Sequence, residues 1–230
     1  MLTDVYCLPG TMCDQRLWET TQQALGTSMS LRHVAIPMEH SIELILAELA
    51  SVLPKGPINL LGFSMGGYLA CAFALTYPER INRLMVLSNT ASGLLDSERQ
   101  QREVALNWVA KQGYNGIPRK KAIAMLSPSN QAKTALLECI LAMDKTLGEA
   151  VFIQQLKSSL DRPNLLPKLE KTKFPLGFIV GRDDVLLSND TIEVMKTSDQ
   201  ITLQVVEACG HMVPLEQPAL LADSLRNFYR

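Results

Sequence analysis

Short apolar runs bounded by glycine or proline alternate along this chain with stretches whose apolar residues recur every three to four positions, and that alternation admits few folds. Residues 5–8, stopped by Pro9-Gly10, read as a strand, and 14–25 as a helix placing Leu17, Trp18, Ala24 and Leu25 on one face. The rhythm repeats: a strand over 30–36, a helix over 41–53 with Ile42, Ile45, Leu46 and Leu49 on one side and Ser41 as N-cap, and a strand over 57–63. Residues 65–76 are almost wholly apolar or small, which predicts a helix buried on most faces, ended by Pro78. Another strand is expected over 83–88. Such alternation calls for a mostly parallel sheet covered by helices on both faces.

The rhythm changes after Thr90. From 92 to 171 only helical periodicities are visible, including Val104, Leu106, Trp108 and Val109, then Leu136, Leu137, Ile140 and Leu141. They are interrupted by Gly113, Gly116, Pro118 and Pro128. The expected organisation is a core from 1–91 and 172–230, with 92–171 inserted as a helical cap. The core resumes with strands over 174–180 and 201–206 and helices over 190–196 and 216–228, the last opened by Glu216 as a first-turn acid.

With 230 residues, 47% of them hydrophobic, the chain suits one globular core. A net charge of -1 from 22 basic and 23 acidic side chains gives no electrostatic footprint for nucleic acid, and Arg119-Lys120-Lys121 reads as a solvated face. The opening residues resemble neither a secretion signal nor a membrane anchor, and no apolar run is long enough to span a bilayer. Five cysteines without a CxxC pair fit a reducing compartment, so a cytoplasmic protein is expected.

Chemistry enters at GFSMGG, residues 62–67, where a G-x-S-x-G pattern falls between a strand and a helix. A serine on so tight a turn is held in a strained backbone conformation, and Gly62 and Gly66 are required because larger side chains would collide across it. Ser64 is thereby pushed clear of the sheet as a candidate nucleophile. The amide of Met65, at a helix N-terminus, is a candidate oxyanion donor. The loop LPGTMCDQRLW at 8–18 stands where a second donor belongs, and the amide of Thr11 is the candidate.

Of the three histidines, His33 falls in an expected strand and His40 beside a helix start. His211, in CGHMVPLEQP between the last strand and last helix, is the candidate base. GRDDVLLS at 181–188 offers Asp183 and Asp184 as the orienting acid, and only one can face the imidazole.

These motifs, in the order serine, acid, histidine, resemble the α/β-hydrolase superfamily, and in particular small capped esterase-like members with an LPG-x-x-CD-x-x-LW opening. The resemblance runs over nearly the whole chain. It implies an α/β-hydrolase fold with a sheet of about six strands, since many relatives begin with a strand pair that this chain lacks. It implies Asp184 as the acid, because in relatives the acid falls three residues after the glycine that ends the strand. The chain departs from many relatives in carrying Pro9 where they have histidine before the glycine, and Ser188 where they have proline.

The expected chemistry is Ser-His-Asp cleavage of an ester or thioester of a small, largely apolar substrate, with no cofactor and no metal. Trp108, Met125, Met143 and Phe152 of the insertion, with Met12, Phe63 and Met212, are candidates for a substrate pocket. The insertion residues serve equally well to hold cap helices together. Alternatives are an acyltransferase or a non-hydrolytic lyase on the same triad, and a hydrolase for carrier-bound acyl groups docking on Arg119, Lys120 and Lys121. A non-catalytic binding protein that has kept the fold is the remaining alternative.

Overall fold

A computed structural model describes residues 2–230. Six strands, β1 (Thr3–Leu8), β2 (Met29–His33), β3 (Ile58–Phe63), β4 (Ile81–Leu87), β5 (Leu176–Gly181) and β6 (Ile201–Val206), form one sheet in the order β2-β1-β3-β4-β5-β6. Every neighbouring pair is parallel. The sheet is covered by α1 (Arg16–Leu25), α2 (Ile42–Val52), α3 (Met65–Thr76), α8 (Asn189–Lys196) and α10 (Pro218–Phe228).

Successive strand residues point to opposite faces. Leu60, Leu84 and Phe178 accordingly join one core, packed by Ile45, Leu49, Leu69, Phe73 and Met195 of α2, α3 and α8. Their neighbours Leu61, Met85 and Ile179 join a second core with Leu17 and Trp18 of α1 and Leu221 and Leu225 of α10. Each fully buried Leu or Phe contributes about 1.5–3 kcal/mol over its exposed state. Burial on both faces explains why strands such as INLLGF and LGFIVG are continuously apolar rather than alternating.

Chain order reverses between β1 and β3. The chain runs outward from β1 to β2, then returns to β3 and proceeds to β4 on the other side, so the loops after β1 and β3 diverge and leave a crevice at their carboxyl ends. The site is built at that crevice.

Between β4 and β5 lie α4 (Asp96–Gln112), α5 (Arg119–Ala124), α6 (Thr134–Ser158) and α7 (Leu166–Leu169), with no strand among them. α6 changes direction at Gly148, where φ is 71°. Arg119 at the start of α5 is paired with Glu138, so the basic triplet is partly neutralised. Among the described residues no helix is long and apolar enough to cross a membrane.

Two expectations change. β2 ends at His33, three residues early, as the chain heads into Pro37, which has no N–H for a ladder. The single closing helix is two: α9 (Val213–Glu216) and α10, divided at Gln217 because Pro218 can start a helix but not continue one. Glu216 is therefore not the first-turn acid of the closing helix. It ends α9 and is buried.

Candidate active site

Ser64 sits between β3 and α3 with φ 51° and ψ -117°, a conformation costing a non-glycine residue about 1–3 kcal/mol. Surrounding bonds hold it there. The Ser64 amide donates to the Leu87 carbonyl (2.9 Å), and the Ser64 carbonyl accepts from the Tyr68 amide (3.1 Å) and Asn89 Nδ2 (3.0 Å). A β-carbon on Gly62 would overlap the Gly66 carbonyl, and one on Gly66 would overlap the carbonyl oxygens of Leu8 and Pro9. Both glycines are thus demanded by close approach: the first turn of α3 rests directly on the end of β1.

That contact brings the loop after β1 to the serine. A β-carbon on Gly10 would lie 3.1 Å from Ser64 Cβ, and Thr11 Oγ1 meets Met65 Sδ at 3.6 Å. Among the described residues the Thr11 and Met65 amides have no hydrogen-bond partner, leaving two donors beside one hydroxyl. Met12, at φ 55°, donates its amide to Gln155 Oε1 of α6 at 2.9 Å. Helix α6 therefore anchors the loop that carries Thr11.

His211 and Asp184 are 5% and 8% exposed, buried enough to weaken competition from water for their mutual bond. His211 Nδ1 lies 2.8 Å from Asp184 Oδ2 and His211 Nε2 lies 3.0 Å from Ser64 Oγ. With the Nδ1 proton donated to the carboxylate, Nε2 is left as an acceptor for the serine hydroxyl. The second Asp184 oxygen accepts the Leu186 amide (2.9 Å), which fixes the carboxylate's rotation. Asp183, by contrast, holds the turn through its backbone, its amide donating to the Cys209 carbonyl at 2.9 Å, and among the described residues its side chain has no hydrogen-bond partner. The structure thus brings Ser64, His211, Asp184, Thr11 and Met65 together and leaves Asp183 outside.

The expected pocket residues fare differently. Phe63 and Met212 are buried beside His211, with the Phe63 ring 5.2 Å from the imidazole. Met143 is fully enclosed among Leu137, Ile140 and neighbouring core residues, so it lines no open pocket, and Trp108 is 64% exposed on α4. Sequence reasoning passed over Asn89, Ser88 and Gln155 and read Glu216 only as a first-turn acid. The signal in the sequence for Gln155 is a polar pair, Gln154-Gln155, within an apolar helical stretch.

Cys7, Cys71 and Cys209 are buried thiols whose pKa values burial pushes far up, and that of Cys13 rises to about 12 for the same reason with help from the Asp14 carboxylate. They are inert packing groups rather than nucleophiles. All five cysteines are free.

A serine, an imidazole and a carboxylate in relay on a strained strand-to-helix turn, carried by a wholly parallel sheet, define a class, and comparison with known proteins agrees with it. A family profile described as alpha/beta hydrolase fold matches residues 36–128. The chain has the α/β-hydrolase fold. It is 27% identical over 191 residues to a Bacillus subtilis protein assigned as a 2-succinyl-6-hydroxy-2,4-cyclohexadiene-1-carboxylate synthase, covering 80% of this chain and 69% of that one. It is 28% identical to 3-oxoadipate enol-lactonase 2 of Acinetobacter baylyi, over 68% of this chain and 58% of that protein. Among solved structures, a thermophilic esterase from Thermogutta terrifontis superposes with a TM-score of 0.85 at 22% identity, covering 98% of this chain and 88% of that one.

Proposed function

We propose that the chain is a serine hydrolase that cleaves a carboxylic ester or thioester of a small substrate through an acyl-enzyme. The observation that carries this reading is the relay Asp184–His211–Ser64, at 2.8 and 3.0 Å, beside two free backbone donors. His211 Nε2 takes the Ser64 proton as Oγ attacks the carbonyl carbon. The amides of Thr11 and Met65 bind the resulting oxyanion, and His211 returns the proton to the leaving alcohol or thiol as the bond to it breaks. Water, deprotonated by the same imidazole, then releases the acid and restores Ser64. Asp184 keeps the imidazole in the working tautomer and stabilises its positive charge. No cofactor is needed. Residues 92–171 act as a helical cap on a core of 1–91 and 172–230, since Gln155 of that segment reaches the Thr11 loop. Five free thiols suit a cytoplasmic enzyme.

The esterase and enol-lactonase comparisons support the hydrolytic reading. The synthase name of the Bacillus subtilis relative favours a second one, non-hydrolytic elimination on the same three residues. The test is a panel of p-nitrophenyl esters and acyl thioesters of graded chain length, with product analysis. Ser64→Ala should lower the rate about 10³-fold or more. Turnover by Ser64→Ala close to that of the unaltered protein would refute the nucleophile, and absence of hydrolysis across the panel would favour the second reading.

A further inference from the structure

Glu216 is 7% exposed, and its two carboxylate oxygens meet four N–H donors. Oε1 accepts the amides of Gly210 (2.9 Å) and Met212 (3.2 Å), the residues on either side of His211. Oε2 accepts the amide of Ser127 (2.8 Å) and Nδ2 of Asn130 (2.9 Å), both from the segment following α5. A carboxylate has about four lone-pair sites and no proton to give, so this is a full set for the ionised group and for no other side chain of its size. The amide between the two loop donors, that of His211 itself, donates to the Met125 carbonyl at 2.7 Å, and the His211 carbonyl accepts Ser88 Oγ at 2.7 Å. Three consecutive amides around the base are thereby committed, two to Glu216 and one to the inserted segment. The two loops touch so closely that a β-carbon on Gly210 would lie 2.6 Å from the Met125 carbonyl oxygen.

We propose that Glu216 is a positioning residue: one buried carboxylate that fixes His211 over Ser64 by binding the histidine loop to residues 125–130 of the insertion. This rests on the hydrolase reading above, in which His211 is the base. The imidazole swings on the peptide units at 210–212, and the gap of 3.0 Å to Ser64 Oγ tolerates little displacement, since a shift of about 1 Å costs on the order of 10²-fold in rate. The same connection makes the setting of the base depend on where the insertion lies.

Glu216→Gln keeps shape but turns an NH₂ toward amide donors, breaking one pair of bonds. The experiment follows phosphonylation of Ser64 by a fluorophosphonate with intact-mass detection, which reads rate constant and final stoichiometry separately. The expected result is labelling that still reaches one per chain with a rate constant lowered about 10- to 100-fold. A rate constant equal to that of the unaltered protein overturns the proposal, and so does partial stoichiometry at an unaltered rate constant, which is the mark of stability alone. Asn130→Leu, which removes one donor and leaves the carboxylate, serves if Glu216→Gln does not fold; it should slow labelling about 3- to 10-fold, and an unchanged rate likewise overturns the proposal. If the unaltered protein itself is not labelled, the hydrolase reading fails first and this inference with it.

Discussion

Asp184→Asn isolates the electrostatic half of the proposed relay because it changes charge and donor pattern with almost no change in shape. In the native arrangement one carboxylate oxygen receives Nδ1–H at 2.8 Å and the other receives the Leu186 amide at 2.9 Å. An asparagine cannot satisfy both. With its NH₂ toward the ring it forces Nδ1 to accept, so the proton moves to Nε2 and the imidazole can no longer take one from Ser64. With its NH₂ toward Leu186, two donors face each other in a buried site, at about 1–3 kcal/mol. In either rotamer the charge that stabilises the imidazolium is gone, worth about 4 kcal/mol at 4 Å in a medium of effective dielectric 20. Together these predict a fall in kcat/KM of about 10³- to 10⁴-fold, or about 4–5.5 kcal/mol, the size of loss known for the equivalent change in a serine protease. The assay is p-nitrophenyl acetate hydrolysis at neutral pH, with circular dichroism melts to verify folding. Asp183→Asn is the control: among the described residues its side chain has no partner, and activity should stay within about threefold. A larger loss from Asp183→Asn than from Asp184→Asn would refute the assignment, and so would a folded Asp184→Asn within tenfold of the starting activity.

Gly66→Ala should destabilise the fold by about 2–4 kcal/mol in urea melts, because its β-carbon would strike the carbonyls of Leu8 and Pro9, while Gly56→Ala, with nothing near, should stay within about 1 kcal/mol. An equal effect at both positions would contradict the close approach of β1 to α3. Burial of His33, opposed by the Asp14 carboxylate, holds its imidazole pKa below the usual value, and its Nδ1 is buried without a partner among the described residues. A depressed folded pKa means that the neutral form stabilises the fold above the ordinary histidine pKa and that this stability is lost as pH falls through the folded value. His33→Gln should therefore flatten the decline of the urea midpoint below about pH 6.5. An unchanged slope would show that His33 is not responsible.

Local features carried most of the architecture. Six apolar runs become six strands, and Gly62 announces the strained serine because its steric demand is set by Gly66, four residues on, whereas the demand on Gly66 comes from the carbonyls of Leu8 and Pro9 at the end of β1. His211 was legible by elimination among three histidines. Asp184 was separated from Asp183 only by resemblance; in the structure the separation comes from the turn, which sends one side chain to the ring and the other away from it. The contacts with no sequence signature are those that span the chain. Met12 meets Gln155 across 143 positions, and Ser127 meets Glu216 across 89. Glu216 was misread because a carboxylate two residues before a helix-starting proline looks like a first-turn acid, and its four donors come from parts of the chain that periodicity treats as unrelated.

The alternation of strand and helix and the tight turn at Ser64 follow from local residue order, because hydrophobic period and the steric demand at Gly62 act over a few residues. Which acid faces the imidazole, what holds the histidine loop, and the exposure of Trp108 on α4 emerge only when the folded chain is assembled. Those outcomes depend on which hydrogen-bond donors and apolar faces meet once the sheet has formed, and such meetings are settled by packing and by the need to satisfy buried polar groups rather than by local propensity.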